Sequence, residues 1–364
     1  MTTSKNLRNP KLIIVAIAML GLFQSCKKDG PDVDPTPPPT DKIQGMYILS
    51  EGNWGSSNAS LSYYDFQTEI FTNNVFKTAN PQIVMGLGDV GNDIGIYGSK
   101  MYLAINNSNK VEVVDAKTVK SLKTITVNQC RFIAFYKNNV YITSNDGYVA
   151  VVDTATLSLV TKINVGNNPE QLAVVGDKLY VANSGAYSAP NYEKTLSVID
   201  LNTNQEINRI DVAINLRNVA ADSGGDLYVT SLGDYGAIPN RMYVIDTKTG
   251  LIKKKFDIGA TNIWINGNFA YLYYYDWNTY SSTYVSINTL TDEIASNNYL
   301  GSGSAAILAP YGIGINNLNG DIFIADAKDY LSPGTVSCFS NKGELKWSKT
   351  AGAIPSRFAF LHSK

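Results

Sequence analysis

Apolar and polar residues alternate in short runs along most of this chain, and the runs return at intervals of roughly 40–50 residues, the mark of a repeat architecture. Seven runs carry an aromatic ring at their second place: Met46-Tyr47-Ile48-Leu49, Met101-Tyr102-Leu103-Ala104, Val140-Tyr141-Ile142-Thr143, Leu179-Tyr180-Val181-Ala182, Leu227-Tyr228-Val229-Thr230, Ala270-Tyr271-Leu272-Tyr273 and Ile322-Phe323-Ile324-Ala325. Such alternation, rich in β-branched and aromatic residues, predicts strands with side chains on both faces. A second strand follows each and ends in a turn, at Asp65, Asp115, Asp153, Asp200, Asp246, Asn288 and Ser340. A third leaves that turn, as in Thr161-Lys162-Ile163-Asn164-Val165. Three residues after the Asp or Asn stands a Thr in six of the units, and Gly343 follows Ser340 in the seventh. An Asp or Asn opening a turn accepts backbone N–H bonds from residues just ahead. The row of acids therefore reads as hairpin chemistry and not as a row of metal ligands.

A fourth run precedes each aromatic strand: Ile94-Gly95-Ile96-Tyr97, Ile133-Ala134-Phe135-Tyr136, Leu172-Ala173-Val174-Val175, Val219-Ala220-Ala221, Ile263-Trp264-Ile265 and Ile313-Gly314-Ile315. Its second place is small in all but one. A recurring small residue marks a crowded spot, which in a propeller is the innermost strand. Trp264 breaks the column and is expected to plug the channel or point into it. No such run precedes Met46, but Arg357-Phe358-Ala359-Phe360 at the chain end supplies one. The expected fold is all-β: a single seven-bladed β-propeller of four-stranded antiparallel blades over residues 43–364. The C-terminal strand closes the ring and removes an open sheet edge.

The segment before the propeller has a different character. Lys5, Arg8 and Lys11 precede an apolar run from Leu12 to Phe23. That run is shorter than the ~20 residues a membrane helix needs and has the form of a secretory signal. It ends in Leu22-Phe23-Gln24-Ser25-Cys26, which resembles a bacterial lipobox. The resemblance implies a signal peptide over 1–25 and lipidation of Cys26; an ordinary signal peptide with an incidental cysteine is the alternative. Residues 26–42 are rich in Pro and Asp and read as an extended stalk. Cys followed by charged, Asp-containing sequence resembles the export signals of surface lipoproteins in some Gram-negative bacteria. The location this implies is the outer membrane, lipid-anchored and at the cell surface, with the leaflet left open.

Composition narrows the chemistry. Lys plus Arg number 30 and Asp plus Glu 31, so there is no basic footprint for nucleic acid. One His excludes a multi-His zinc site, and three Cys make no disulfide framework at this length. No metal and no cofactor is expected.

Binding residues belong on loops held by the rigid sheets. The connections Ser50–Ser60, Asn183–Thr195, Ser231–Arg241, Tyr275–Thr283 and Ala325–Gly334 are long, and they carry Trp54, Tyr187, Tyr192, Asp234, Tyr235, Trp277, Tyr280 and Tyr330. Aromatic rings among Gly, Ser and Asn suit a recognition surface. On the same face, Asn92, Arg131, Glu170, Arg217, Thr261, Tyr311 and Ser356, with Arg357 beside the last, lead into the inner strands and should ring the channel mouth. Arg131, Glu170 and Arg217 either bind a polar ligand or form a salt-bridged collar. The candidate ligand-binding set is thus Trp54, Arg131, Glu170, Tyr187, Tyr192, Arg217, Asp234, Tyr235, Trp277, Tyr280, Tyr311 and Tyr330.

Tyr180-Val181-Ala182-Asn183 and Tyr228-Val229-Thr230-Ser231 resemble the YVTN-type repeat of bacterial and archaeal surface propellers. The opening Tyr47-Ile48-Leu49-Ser50-Glu51-Gly52-Asn53-Trp54-Gly55 and Ala59-Ser60-Leu61-Ser62-Tyr63-Tyr64-Asp65 are similar to the start of a YncE-like lipoprotein family. That resemblance implies a surface propeller that binds a small nutrient, a corrinoid such as cobalamin in similar members, and passes it to a TonB-dependent transporter. No residue here is a diagnostic corrinoid ligand, and the sole His, His362, lies past the last strand. A protein- or glycan-interaction propeller is the alternative, followed by a lactonase-like enzyme. The enzyme reading lacks a nucleophile, base and orienting group that can be named together, and Cys130 and Cys338 are poor nucleophile candidates, Cys338 because it reads as core, so no enzymatic activity is expected.

Overall fold

The computed structural model describes residues 42–363, so the expected signal peptide, Cys26 and all of the stalk but Lys42 lie outside the described residues. Strands of alternating pattern assemble into seven four-stranded antiparallel sheets. Six sheets are continuous in sequence, and their inner strands are Gly91–Tyr97, Cys130–Tyr136, Pro169–Val175, Leu216–Ala221, Asn262–Asn266 and Pro310–Ile315. The remaining sheet, blade 1, combines Lys42–Ser50, Ser60–Asp65 and Phe71–Thr72 with Pro355–Ser363 from the chain end as its inner strand. That ladder runs from Lys42 opposite Ser363 to Ser50 opposite Pro355. Each inner strand lies against the inner strands of the two neighbouring blades, which closes the circuit. Seven-bladed propeller architecture with closure by the C-terminal strand is thereby established. Blade 1 has only a two-residue outer strand; a short helix, Val75–Ala79, covers that side and buries Phe76.

Register explains the column of small residues. Gly95, Ala134, Ala173, Ala220, Gly314 and Ala359 stand directly opposite Tyr102, Tyr141, Tyr180, Tyr228, Phe323 and Tyr47. Residues opposed across a ladder share one face, so each ring needs a small neighbour. At Gly95 an added Cβ would lie 2.6 Å from the Phe135 ring of the next blade, and at Gly314 one would lie 2.8 Å from Phe358. Trp264 opposes Tyr271 and turns into the lower channel, where it meets Phe360 edge-on at 6.1 Å.

The aromatic strand does more than pack. Each ring enters the apolar layer between its own blade and the next. Several hydroxyls then reach the Asp turn of that next blade. Tyr47 donates to the Ala116 carbonyl at 2.7 Å, Tyr141 to Asn204 Oδ1 at 2.9 Å, and Tyr228 to Asp292. The turns themselves follow the sequence reading: Asp115 Oδ1 accepts the N–H groups of Lys117 and Thr118, and Asp65, Asp153, Asp200 and Asp246 repeat the pattern. These bonds favour the charged carboxylate, and the five acids sit below the usual Asp pKa.

The hydroxyls give a paired test. Tyr47→Phe removes a buried bond and should cost about 1 kcal/mol in urea unfolding. The Tyr102 hydroxyl is buried with no partner among the described residues, so Tyr102→Phe should be neutral or stabilising. Equal losses in both variants would mean that the hydroxyl does not join the blades.

Candidate functional site

The upper face is where the inner strands begin. In six blades the ladder there contains a register shift: between Gly91 and Asp93, Cys130 and Ile133, Pro169 and Leu172, Leu216 and Val219, Pro310 and Gly312, and opposite Leu49 and Ser50. A bulge adds one residue to a strand and re-aims its side chain. The shifts coincide with Asn92, Arg131, Glu170, Arg217, Tyr311 and Ser356, which explains why polar residues within apolar strands face the channel mouth. Blade 6 has no such shift.

Three of these side chains form a collar. Arg131 gives two N–H bonds to Glu170 Oε2, at 3.1 and 2.7 Å, and Arg217 gives one to Glu170 Oε1 at 2.8 Å. A further Arg131 nitrogen donates to Asn92 Oδ1 at 2.5 Å. The Phe132 ring, buried in the apolar layer between blades 3 and 4, carries the guanidinium carbons of Arg357, Arg131 and Arg217 at 4.9, 5.4 and 6.0 Å from its centre. Cations over a ring face are attracted by its quadrupole.

Beside the collar, toward blade 6, opens a cavity of about 560 Å³, within the range of small-molecule sites. Arg217, Arg357 and Glu51 lie at its floor, and Tyr273, Tyr274 and Trp277 stand on its blade 6 side. Tyr235 and Ile238 complete the wall from the loop of blade 5. An aromatic chain descends from rim to floor: Tyr275 meets Trp277 edge-on at 4.8 Å, Trp277 meets Tyr330 at 5.2 Å, and Tyr330 meets Tyr311 at 5.6 Å. Tyr311 then donates to Glu51 Oε2 at 3.0 Å. Loss of surrounding water pushes the Glu51 carboxyl above its ordinary pKa, opposed by the Tyr311 bond and the nearby arginines. Tyr235, Tyr280 and Tyr330 hold left-handed backbone, with φ of +59°, +52° and +62°. The same backbone recurs in the hairpin turns, at Glu69, Val119, Leu157, Asn204 and Asp292, so it marks tight turns here.

The sequence-predicted residues divide into groups. Arg217, Tyr235, Trp277 and Tyr311 line the cavity, and Tyr330 backs its wall. Arg131 and Glu170 lie beside it in the collar and do not line it. Asp234 accepts the Gly236 and Ile238 N–H groups at 2.8 Å each, so it shapes the loop that bears Tyr235. Trp54, Tyr187 and Tyr280 are exposed on the upper face outside the cavity, and Tyr192 is half-buried there. The expected long connection Tyr275–Thr283 is corrected to a four-residue turn, because the ladder continues to Asp276 opposite Ser281.

Sequence reasoning passed over Glu51, Phe132, Tyr273 and Tyr274. Two of them had a column signal. Four places after each repeated ring stand Glu51, Asn106, Asn145, Ser184, Leu232, Tyr275 and Ala327, with Glu51 the one charged residue. Two places after it, Ala or Thr is usual, and Tyr273 is a bulky exception in blade 6.

Two substitutions test the charge arrangement. Glu170→Gln leaves Arg131 and Arg217 without their shared carboxylate and should cost about 3 kcal/mol in urea unfolding; a loss below about 1 kcal/mol would place the collar among exposed, weak pairs. Glu51 is tested through pH. Its raised pKa means its contribution is fully present below the ordinary Glu range and is lost as pH rises through the folded-state value. Glu51→Gln should therefore flatten the decline in stability from that range toward neutrality, and an unchanged pH profile would contradict it.

No curated protein sequence matches the chain. Among solved structures it is similar to hydrazine synthase of Kuenenia stuttgartiensis, with a TM-score of 0.60 and 18% identity over 73% of this chain and 88% of that one. It is also similar to a Quinonprotein alcohol dehydrogenase-like protein from Bacteroides thetaiotaomicron, with a TM-score of 0.60 and 15% identity over 88% of this chain and 79% of that one. At such identity the likeness is one of fold. Residues 44–334 match the model of the family described as Domain of unknown function (DUF5074), and the chain belongs to that family.

Proposed function

We propose that the protein is a binding propeller that holds a small nutrient ligand in the upper-face cavity. The observation that carries this reading is the cavity itself: flat aromatic walls, a floor with two arginines and a carboxyl, and a volume of about 560 Å³. Few convergent polar groups in an otherwise aromatic pocket are what small-ligand recognition requires. Binding is favoured over thiol catalysis, because burial pushes the thiols of Cys130 and Cys338 up to about 12 and keeps both protonated near neutrality.

The finer reading follows the YncE-like resemblance and the N-terminal signal. In it the chain is lipidated at Cys26, anchored at the outer-membrane surface, and delivers its ligand to a TonB-dependent transporter. The specific candidate is a corrinoid such as cobalamin. A corrin is broader than the enclosed space, so the cavity would grip one edge and leave the remainder at the aromatic rim. Lys42 starts its strand at the lower face, opposite the cavity, which suits a tethered domain presenting the cavity outward. The exposed rings of Trp54, Tyr187 and Tyr280 favour a second reading as well, a face for a protein or glycan partner.

Protein lacking residues 1–26 is expected to bind cobalamin or cobinamide with quenching of Trp emission. Trp277→Ala should weaken that binding about tenfold, a typical loss for a stacking ring. Calorimetry without heat, together with no co-elution of any corrinoid, would sink the corrinoid reading. Recovery of a stable protein partner without small ligand would favour the second one.

A further inference from the structure

The three arginines at the channel mouth are unequally matched. Arg131 and Arg217 share Glu170. Arg357 has no carboxylate within ion-pair distance among the described residues, and its Nε donates to the Asn92 carbonyl at the long distance of 3.4 Å. Asp93 and Glu51 act on it through space, outside ion-pair distance, while one Asp93 oxygen accepts the Ile133 N–H at 2.9 Å and Glu51 accepts the Tyr311 hydroxyl. Arg357 is held in place by the Phe132 ring at 4.9 Å, which orients a guanidinium without neutralising it. Both Arg357 and Arg217 line the cavity, and Trp277 and Tyr235 line the same space.

A planar fork of N–H donors pre-set in a part-buried site is matched by two oxygens of one anion. We infer that the cavity takes an amphipathic oxyanion: a flat ring against Trp277 and Tyr235, with a carboxylate or phosphate received by Arg357 and assisted by Arg217. Arg357 is then the specificity-determining residue. This inference rests on the cavity being a ligand site but not on the ligand being a corrinoid. The Arg131–Glu170 pair beside it keeps the local charge from being cancelled: Glu170 is occupied by two cations and cannot turn to Arg357 without abandoning one.

The test uses small probes that differ only in charge, with the full-length chain in mild detergent and binding followed by ligand-observed NMR. Indole-3-acetate is compared with neutral indole-3-acetamide, and phenyl phosphate with phenol. At least one anion should bind about tenfold tighter than its neutral partner, and the larger preference tells carboxylate from phosphate. Arg357→Gln should reduce that preference to within twofold, and Arg357→Lys should leave an intermediate one. Arg209→Gln, on the exposed outer strand of blade 4 and paired with Glu206, should leave it unchanged. The Lys variant keeps the test decisive if the Gln variant does not fold. Equal binding of charged and neutral probes, no binding by any probe, or a preference that survives Arg357→Gln would each overturn the inference. Corrinoid binding without an anion preference overturns this inference alone; an anion preference without corrinoid binding overturns the corrinoid reading alone.

Discussion

Seven sheets that converge on one axis leave little room at their inner edges, and this propeller meets that crowding with one repeated pairing. A large ring on the second strand lies opposite a Gly or Ala on the inner strand, and the ring enters the layer shared with the next blade. Volume is conserved across the pair, because a large residue on one side requires a small one on the other. In blades 1, 3 and 5 the tyrosine hydroxyl also reaches the neighbour's hairpin turn, at Ala116, Asn204 and Asp292, whereas that of Tyr102 is buried without a partner among the described residues. One side chain per blade thus provides packing throughout and a polar link to the next blade in three of them.

Blade 6 departs from this rule, and the cavity opens beside it. Trp264 replaces the small inner residue, Tyr273 replaces the usual Ala or Thr, and the upper bulge is missing. Extra volume in its sheet accompanies space between its loops and those of blades 5 and 7. The polar floor has a separate origin. Bulges in the other blades aim Arg217, Tyr311 and Ser356 at the mouth, while Arg131 and Glu170 settle into the collar beside it. A site made from the exceptions of a repeat is consistent with function being grafted on a fold that the repeat alone specifies.

The fold was legible because its signals recur. Period, strand alternation, the Asp turn and the small inner column each appear six or seven times, and agreement among copies outweighs any single deviation. The site was legible only in part because its residues occur once. Trp277 and Tyr235 announced themselves as rings in polar loops, and Arg217 as a charge in an apolar strand. Trp54, Tyr187 and Tyr280 carry the same local signal yet stand exposed outside the cavity. Loop composition says that a ring is outside the core; only the path of the loop says which way it faces. Glu51 was hidden by its place in a run that read as family motif, and Phe132 by being one apolar residue among many.

The seam of blade 1 has a mechanical consequence. Lys42–Ser50 lies between Ser60–Asp65 and Pro355–Ser363, paired on both sides. A pull applied at Lys42 along the axis of that strand loads both ladders. An axial load shears the hydrogen bonds of both ladders together, instead of peeling them one at a time. The chain end that completes the ring is thereby also the element that resists extraction of the first strand.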